Sequence, residues 1–492
     1  MDFLSLTIVL LAASSLALPI FQLKSDKRSK VPAYILLAVL SASLILLGAN
    51  TLTPSSGTSF GGLLSSDVLG GFFALVTVGV TLMVVLASIE YIRGANRPVY
   101  YSLLSFTALG MVLLSYSQDL LMLFISWELM SLPTYALAGF DKKRVQSNEA
   151  SVKYAMIGAM SSAIILYAIS LTYGLTGTTQ IIPAVRAIAA PGSFNLVASV
   201  AVLLFVTGFG FKMSIVPFHM WIPDAYEGAP VTVSTLLAAA TKKAGFIAAI
   251  RVLLAVTTLY VITQNPMFTI ANVLAVLALL TMTLGNVAAL TQKSMTRLLA
   301  YSSIAQAGYI LVGFVAYAYS QQTSSDFAQA TLGITGSLFH VLNHAIMKGV
   351  AFLGAALVVL ELKRGDVQAY DGLAKRMPFT AFTIAVAFLA LAGVPPLNGF
   401  WSKLLLFLSV INGPFAWLAV AGILNSAFSL GYYAWVIRRM YIDDPENPER
   451  VSEPITFIII FGVAVGLIIG LGLFPQQVIN FASSAVPNIF PR

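Results

Sequence analysis

The sequence predicts an all-α integral membrane protein. Three observations point there: 58% of its 492 residues are hydrophobic and only 9% charged, apolar runs recur from one end to the other, and basic residues cluster in every second connection between those runs. Water-soluble domains carry charge on roughly a quarter of their residues, far more than this chain has. A helical crossing takes about 20 apolar residues, and the runs leave no stretch long enough for a soluble catalytic domain. A net charge of +8 would suggest nucleic acid as the partner of a soluble chain. Here the surplus Lys and Arg lie in short loops, where charge sets orientation across the bilayer, so no nucleic acid is expected. The sequence has no cysteine, which rules out disulfides, thiolate-bound zinc, cysteine-held iron–sulfur clusters and cysteine nucleophiles in this chain.

The first apolar run, Asp2 to Phe21, lacks the basic leader of a secretion signal and is followed at once by Lys24, Lys27, Arg28 and Lys30, so it is read as a retained helix. A window of about 19 residues then places about fourteen transmembrane helices. Their spans are 3–22, 32–51, 67–90, 98–116, 118–140, 150–174, 193–217, 230–257, 267–290, 295–318, 329–361, 378–411, 414–440 and 454–484. The loops after helices 1, 3, 5, 9, 11 and 13 hold the basic residues, among them Lys30, Arg93, Lys142, Lys143, Arg144, Lys293, Arg297, Lys363, Arg364, Lys375, Arg376, Arg438 and Arg439. By the positive-inside rule these loops face the cytoplasm and both termini the outer side.

Internal repetition comes next. Gly110-Met111-Val112 returns 175 residues later as Gly285-Asn286-Val287, Tyr135 to Phe140 returns 174 later as Tyr309 to Phe314, and Val216-Pro217 returns 178 later as Val394-Pro395. Three matches in order at nearly one offset predict two five-helix copies, helices 4–8 and 9–13. Five is odd, so the second copy must be inverted, an arrangement in which transporters place an ion path between broken helices. The chain then divides into N-terminal helices 1–3 (1–97), a first repeat (98–257), a second, inverted repeat (267–440) and a C-terminal helix 14 (454–492).

Both copies carry a proline break. Pro217 removes a backbone donor from helix 7, and the pair Pro395 and Pro396, followed by Asn398-Gly399, does so more severely in helix 12. Interrupted backbone inside a membrane needs protein or a watery cavity around it, so both breaks are expected beside a polar interior; the competing reading is a purely structural kink. Ionisable residues inside apolar runs are the strongest signal: Glu128 in helix 5, Lys212 in helix 7, Lys242 and Lys243 in helix 8, Lys348 in helix 11 and Lys403 in helix 12. Each costs roughly 2.5 to 3.5 kcal/mol at the centre of a crossing, which a hydrated path would justify. Bringing a buried acid and an amine together favours both charges and parting them favours neutrality, so a change of distance moves a proton. His340, His344 and Lys348 stand at i, i+4 and i+8 on one face of helix 11 and extend the row.

Each assignment has a competitor. Glu128 could merely hold helices together, Lys153 could snorkel to the interface, and His219 could be an ordinary hydrogen-bonded residue. His340 and His344 have zinc-ligand spacing, but no third ligand is evident and no metal is expected. Lys242 and Lys243 project about 100° apart, so one of them is expected to face the axis. Asp224 and Glu227 are expected to cap the start of helix 8.

These residues carry a resemblance. Asp119 to Leu129 on through Tyr135 and Phe140, Lys212 to Pro230, Leu284 to Gly308 and Leu391 to Phe407 resemble the antiporter-like membrane subunits of respiratory complex I, over about residues 100 to 441. Glu149 to Gly177, Ala300 to Tyr309 and Asn425 to Tyr441 look most like its subunit N, or chain 2, branch. The resemblance implies a multi-pass subunit of a prokaryotic plasma membrane that moves protons, packs against sister membrane-arm subunits and holds no cofactor, with flavin, iron–sulfur clusters and quinone in partner subunits. It places Glu128, Lys212, Lys242 and Lys403 on the family's proton-transfer positions, with Lys153, His219, Lys243, His340, His344 and Lys348 as a secondary path. Helix 11 departs from the branch and looks closer to sister subunits L and M or to multisubunit sodium/proton antiporters. That departure implies an archaeal or deeply branching complex fed by NADH, reduced deazaflavin or ferredoxin. The alternatives are a cation/proton antiporter subunit of an Mrp-type or hydrogenase-type complex and a passive scaffold.

Overall fold

The computed structural model describes residues 2–21, 29–53, 58–94, 96–188, 196–254, 269–323 and 327–489; Lys24, Lys27, Arg28 and the connection expected over 258–266 lie outside the described residues. The chain is helical nearly throughout. In order run α1 (Phe3–Ala17), α2 (Val31–Leu52), α3 (Val68–Tyr91), α4 (Arg97–Tyr116), α5 (Leu120–Ala138), α6 (Val145–Thr176) and α7 (Leu196–Met213). Then comes α8, which starts as Val231–Leu236 and continues through a π turn (Leu237–Thr241), Lys242–Ala249 and a second π turn (Ile250–Leu254). It is followed by α9 (Ile270–Leu290), α10 (Met295–Thr323), α11 (Phe327–Leu362), α12 (Pro378–Ala392), α13 (Ala416–Tyr441) and α14 (Ile455–Leu473). A two-stranded hairpin pairs Thr58–Ser59 with Leu64–Ser65, a small departure from the all-helical expectation.

Among the described residues twelve helices are long and apolar enough to cross a membrane. The other two long elements, α8 and α12, are the irregular ones: α8 is interrupted by π turns and α12 stops after 15 residues, to resume as Asn398–Leu408. Carboxylates start several helices by accepting from first-turn amides, as Asp119 does from Leu121 N at 2.8 Å and Met122 N at 3.1 Å.

Position within the bundle separates the helices by chemistry. Every residue from Val231 to Leu254 in α8 and from Ser302 to Ala318 in α10 is buried, and so is nearly all of α11 from Gly333 to Val358. By contrast α2, α6, α13 and α14 turn Ile45, Met156, Met160, Ile423, Leu424 and Ile459 outward, as helices facing lipid or a neighbouring subunit would. An amine on α8 or α11 is therefore covered by protein whichever way it points.

Connections sort into two ends. Leu64 bridges Ser117 and Asp119 bridges Gln180 at one end, while Ser294 bridges Asp366 at the other. The second end gathers the basic loops, cross-linked by Lys30 to Glu90 at 2.9 Å, Arg364 to Glu446 at 2.8 Å, Lys375 to Asp444 at 2.6 Å and Arg439 to Asp371 at 2.6 Å. Asp224 and Glu227 belong to this network rather than to the cap of α8. They sit in a separate short helix, Ile222–Gly228, and receive Arg297 at 2.8 and 3.0 Å, while Lys153 reaches Asp224 at 2.8 Å. Their partners lie across helix boundaries, and α8 itself starts after Pro230 without a side-chain cap.

The two breaks are built alike. α7 ends at Met213, short of the expected 217: Ser214 turns to φ +69°, Ser214 N–H donates to Phe211 O at 3.1 Å and Ile215 N–H to Gly210 O at 3.1 Å. α12 ends at Ala392: Gly393 turns to φ +91°, Gly393 N–H donates to Ala390 O at 3.0 Å and Val394 N–H to Leu389 O at 3.0 Å. Both are left-handed helix stops in which the two residues after the last turn reach back across it. The chain stops before each proline because a proline also disfavours helical geometry in the residue preceding it. Val216–Pro217 and Pro395–Pro396 are cis.

Candidate functional site

At the first break, α7 carries Lys212 one residue before its end. The amine is fully buried and donates to Tyr154 OH at 2.8 Å and Ser131 Oγ at 3.2 Å, with its charge 5.3 Å from the Tyr154 ring centre. Tyr154 is itself fixed, stacked on Trp221 at 4.4 Å and hydrogen-bonded to Thr134 at 3.1 Å. Ser131 lies three residues, about one helical turn, beyond Glu128 on α5. Glu128 is only partly buried, and the Ser162 hydroxyl of α6 donates to it.

Deeper in, α8 delivers both of its lysines. Lys242 donates to the Ser303 carbonyl at 2.6 Å, and Lys243 is hydrogen-bonded to His344 Nδ1. The expectation that only one of the pair faces inward fails because α8 is surrounded by protein on all sides, and its π turns reset the register on both flanks of Lys242–Ala249. From the other ring nitrogen, His344 meets Ser303 Oγ at 3.3 Å, and its ring stacks 6.5 Å from that of His340. Lys348, one turn further along α11, donates to Ser302 Oγ at 2.7 Å, and Ser302 is hydrogen-bonded to Tyr433 of α13.

At the second break the geometry differs in detail. Lys403, in the half-helix that follows α12, turns back to donate to Leu391 O at 2.9 Å, Ala392 O at 3.0 Å and Ser426 Oγ at 3.3 Å. Those carbonyls are the open C-terminal end of α12, where a cation is favoured. Gly393 makes room: a Cβ there would lie 3.1 Å from Lys403 Cδ. His340 joins this end, with Nε2 2.8 Å from Gln306 Oε1 and Nδ1 2.9 Å from Ser402 Oγ.

Among the described residues none of the five buried amines has a carboxylate oxygen within 4.0 Å. They are held by hydroxyls, carbonyls and imidazoles instead. An amine so placed keeps a donor network in either charge state, whereas a tight ion pair would fix it as the cation.

The structure thus brings Lys242, Lys243, His340, His344, Lys348 and Lys403 into one buried cluster around α10, and sets Glu128 and Lys212 beside it on α5 and α7. Lys153 and His219 stand apart. Lys153 is exposed at the basic end, between Glu149 and Asp224. His219 is partly buried on the stretch after the first break, beside the exposed Pro217 and Met220. Pro395 and Pro396 are likewise exposed. Sequence reasoning missed Ser131, Tyr154, Ser302 and Ser303, which hold buried amines, Gln306, which meets His340, and Tyr433, which is bonded to Ser302. It also missed Arg251, buried at the less basic end and paired with Asp67 at 2.9 Å.

Residues 117–429 match the family described as NADH:quinone oxidoreductase/Mrp antiporter, transmembrane. This chain belongs to that family. The matched stretch runs from α5 to α13 and contains every residue of the buried cluster. A relative, F420H2 dehydrogenase subunit N of Methanosarcina mazei, is 41% identical over 445 residues, 88% of this chain and 86% of its own. The solved respiratory complex I of Thermus thermophilus contains a chain that superposes with a TM-score of 0.79 at 31% identity, over 97% of this chain and 99% of its own. A chain of the membrane-bound sulfane sulfur reductase, an archaeal respiratory membrane complex, superposes with a TM-score of 0.87 at 25% identity, over 99% and 97%. Family membership agrees with the resemblance read from the sequence, and the architecture is the family's antiporter-like one.

Proposed function

We propose that this chain is a proton-translocating membrane-arm subunit of a complex I-type oxidoreductase. Electrons from NADH, reduced deazaflavin or ferredoxin pass to quinone in partner subunits that hold the flavin and iron–sulfur clusters, and this chain does no redox chemistry. Its work is to carry protons along Glu128, Lys212, Lys242, Lys348 and Lys403, with His340, His344 and Lys243 between them. The observation that carries this reading is the set of five buried amines that, among the described residues, have no carboxylate partner and are held by hydroxyls, carbonyls and imidazoles.

The mechanism follows from distance and charge. Glu128 is one turn from Ser131, which touches Lys212, so a small shift of α5 or of the Ser162 contact brings carboxylate and ammonium together or parts them. When they part, Lys212 yields its proton to the row beyond, and like charges along that row discourage two neighbours from being protonated at once. The two breaks, with matching helix stops, support reading α4–α8 and α9–α13 as inverted copies. The basic loops support a cytoplasmic face at that end and outer termini. The partners are sister membrane-arm subunits, and the setting is a prokaryotic plasma membrane.

The test is the proton-to-electron ratio of the assembled complex in vesicles. Glu128→Gln and Lys212→Ala are each expected to lower it while electron transfer continues; wild-type ratios in both would refute the reading. A cation/proton antiporter is the second reading, favoured by the family's Mrp branch. It requires sodium-dependent exchange without any redox substrate.

A further inference from the structure

α10 carries no lysine, histidine or carboxylate in the buried cluster, yet it touches most of it. Ser302 receives Lys348, Ser303 meets Lys242 through its carbonyl and His344 through its hydroxyl, and Gln306 meets His340. Of these, Gln306 has the most constrained chemistry. A glutamine side chain accepts only at oxygen and donates only at nitrogen. Its Nε2 lies 3.2 Å from the Leu391 carbonyl, which can only accept, so the nitrogen must face Leu391 and the oxygen must face His340. That oxygen lies 2.8 Å from His340 Nε2, so Nε2 carries the hydrogen of the neutral ring. The other nitrogen, Nδ1, is left as the base, 2.9 Å from Ser402 Oγ.

Ser402 suits that arrangement. Its oxygen is also 3.2 Å from the Gly399 carbonyl. While His340 is neutral, the Ser402 hydroxyl donates to Nδ1. Once Nδ1 gains a hydrogen, the hydroxyl rotates to Gly399 O and its oxygen accepts from the imidazolium. Both charge states of His340 are therefore satisfied without moving a helix.

We propose that Gln306 is the positioning residue that sets the tautomer of His340, so that protons enter and leave this histidine through Nδ1 alone, on the side of Ser402. The proposal rests on the proton-carrying reading above. Leu391 O links the two ends of the device, because it accepts from both Gln306 Nε2 and Lys403 Nζ. In the step itself one N–H bond breaks at an ammonium of the row, leaving a neutral amine, and one forms at His340 Nδ1, giving the imidazolium. One proton moves, charge is conserved and no further reactant is needed. The titratable groups around His340 are His344 on its own helix, Tyr309 on α10 at 6.3 Å between ring centres, Lys243 on α8 and Lys403 beyond the second break.

The experiment uses the intact complex in vesicles and reads protons moved per electron across pH, with Lys403→Ala as the reference for losing this end of the row. Gln306→Leu frees the tautomer and is expected to remove most of the ratio that Lys403→Ala removes, with electron transfer retained. Gln306→Glu is nearly isosteric, keeps an acceptor at Nε2 and adds a negative charge. It is expected to assemble and to move the alkaline limb of the pH profile upward by about one unit or more, because a carboxylate favours the imidazolium. A lowered ratio in Lys403→Ala with the wild-type ratio in Gln306→Leu overturns the role of Gln306. An unchanged ratio in Lys403→Ala overturns the proton-carrying reading itself, and the Gln306 proposal with it.

Discussion

Lys212 differs from the other buried amines in donating directly to a phenol hydroxyl. Tyr154 offers its hydroxyl at 2.8 Å and its ring face at 5.3 Å, and Trp221 keeps the ring in place. Tyr154→Phe would keep the stack and remove only the hydroxyl. A hydrogen bond to a charged group is worth about 1.5–3 kcal/mol, so the ammonium form of Lys212 should be disfavoured by roughly tenfold or more. The expected result is a reduced proton-to-electron ratio in a complex that assembles normally, measured as passive-leak-corrected pumping in vesicles. The sequence makes Lys212 visible because a lysine inside an apolar run is costly, but it gives Tyr154 no such mark. Tyrosines and serines are ordinary in transmembrane helices, and which of them meets Lys212 depends on the packing of α5 and α6 against α7. Ser303 and Gln306 were hidden for the same reason. Lys242 and Lys243 project about 100° apart, yet both are covered because α8 has protein on every side.

At the scale of the element, the two helix stops make opposite residue choices for one backbone shape. Gly393 takes φ +91° without a side chain, whereas Ser214 takes φ +69° with one. The left-handed conformation costs an L-residue roughly 1–2 kcal/mol. Gly393→Ala is therefore expected to destabilise by about that much, and its new Cβ, 3.1 Å from Lys403 Cδ, would also push the amine off Leu391 O and Ala392 O. Both effects are measurable, as a lower thermal midpoint of the purified complex and as a reduced proton-to-electron ratio. Ser214→Gly should do the reverse to stability, raising the midpoint modestly, because it relieves the same conformation. Proline made both breaks legible in the sequence, but not where they begin. The helices end where a left-handed residue can close the last turn, three residues ahead of Pro217 and two ahead of Pro395.

Over the whole molecule, direction is the remaining question, and the ends of the helices bear on it. α7 starts from the end where Asp119 and Gln180 pair, and α12 starts beside Arg376 at the basic end, so the two broken helices run in opposite senses. That is the geometry an inverted repeat demands. If the basic end is cytoplasmic, protons enter there and leave at the end marked by Arg251 and Asp67. The sequence contains no cysteine, so a single introduced thiol reports its side without background from this chain. Lys142→Cys, exposed in the loop after α5, should react with a membrane-impermeant maleimide in inverted vesicles and resist it in intact cells. Thr53→Cys, exposed at the end of α2, should react in intact cells. The opposite pattern at both positions would turn the molecule over and reverse the proposed direction of pumping. The buried contacts of Lys212, Lys242 and Lys403 would be the same either way, so this labelling decides polarity independently of the substitutions that test the row.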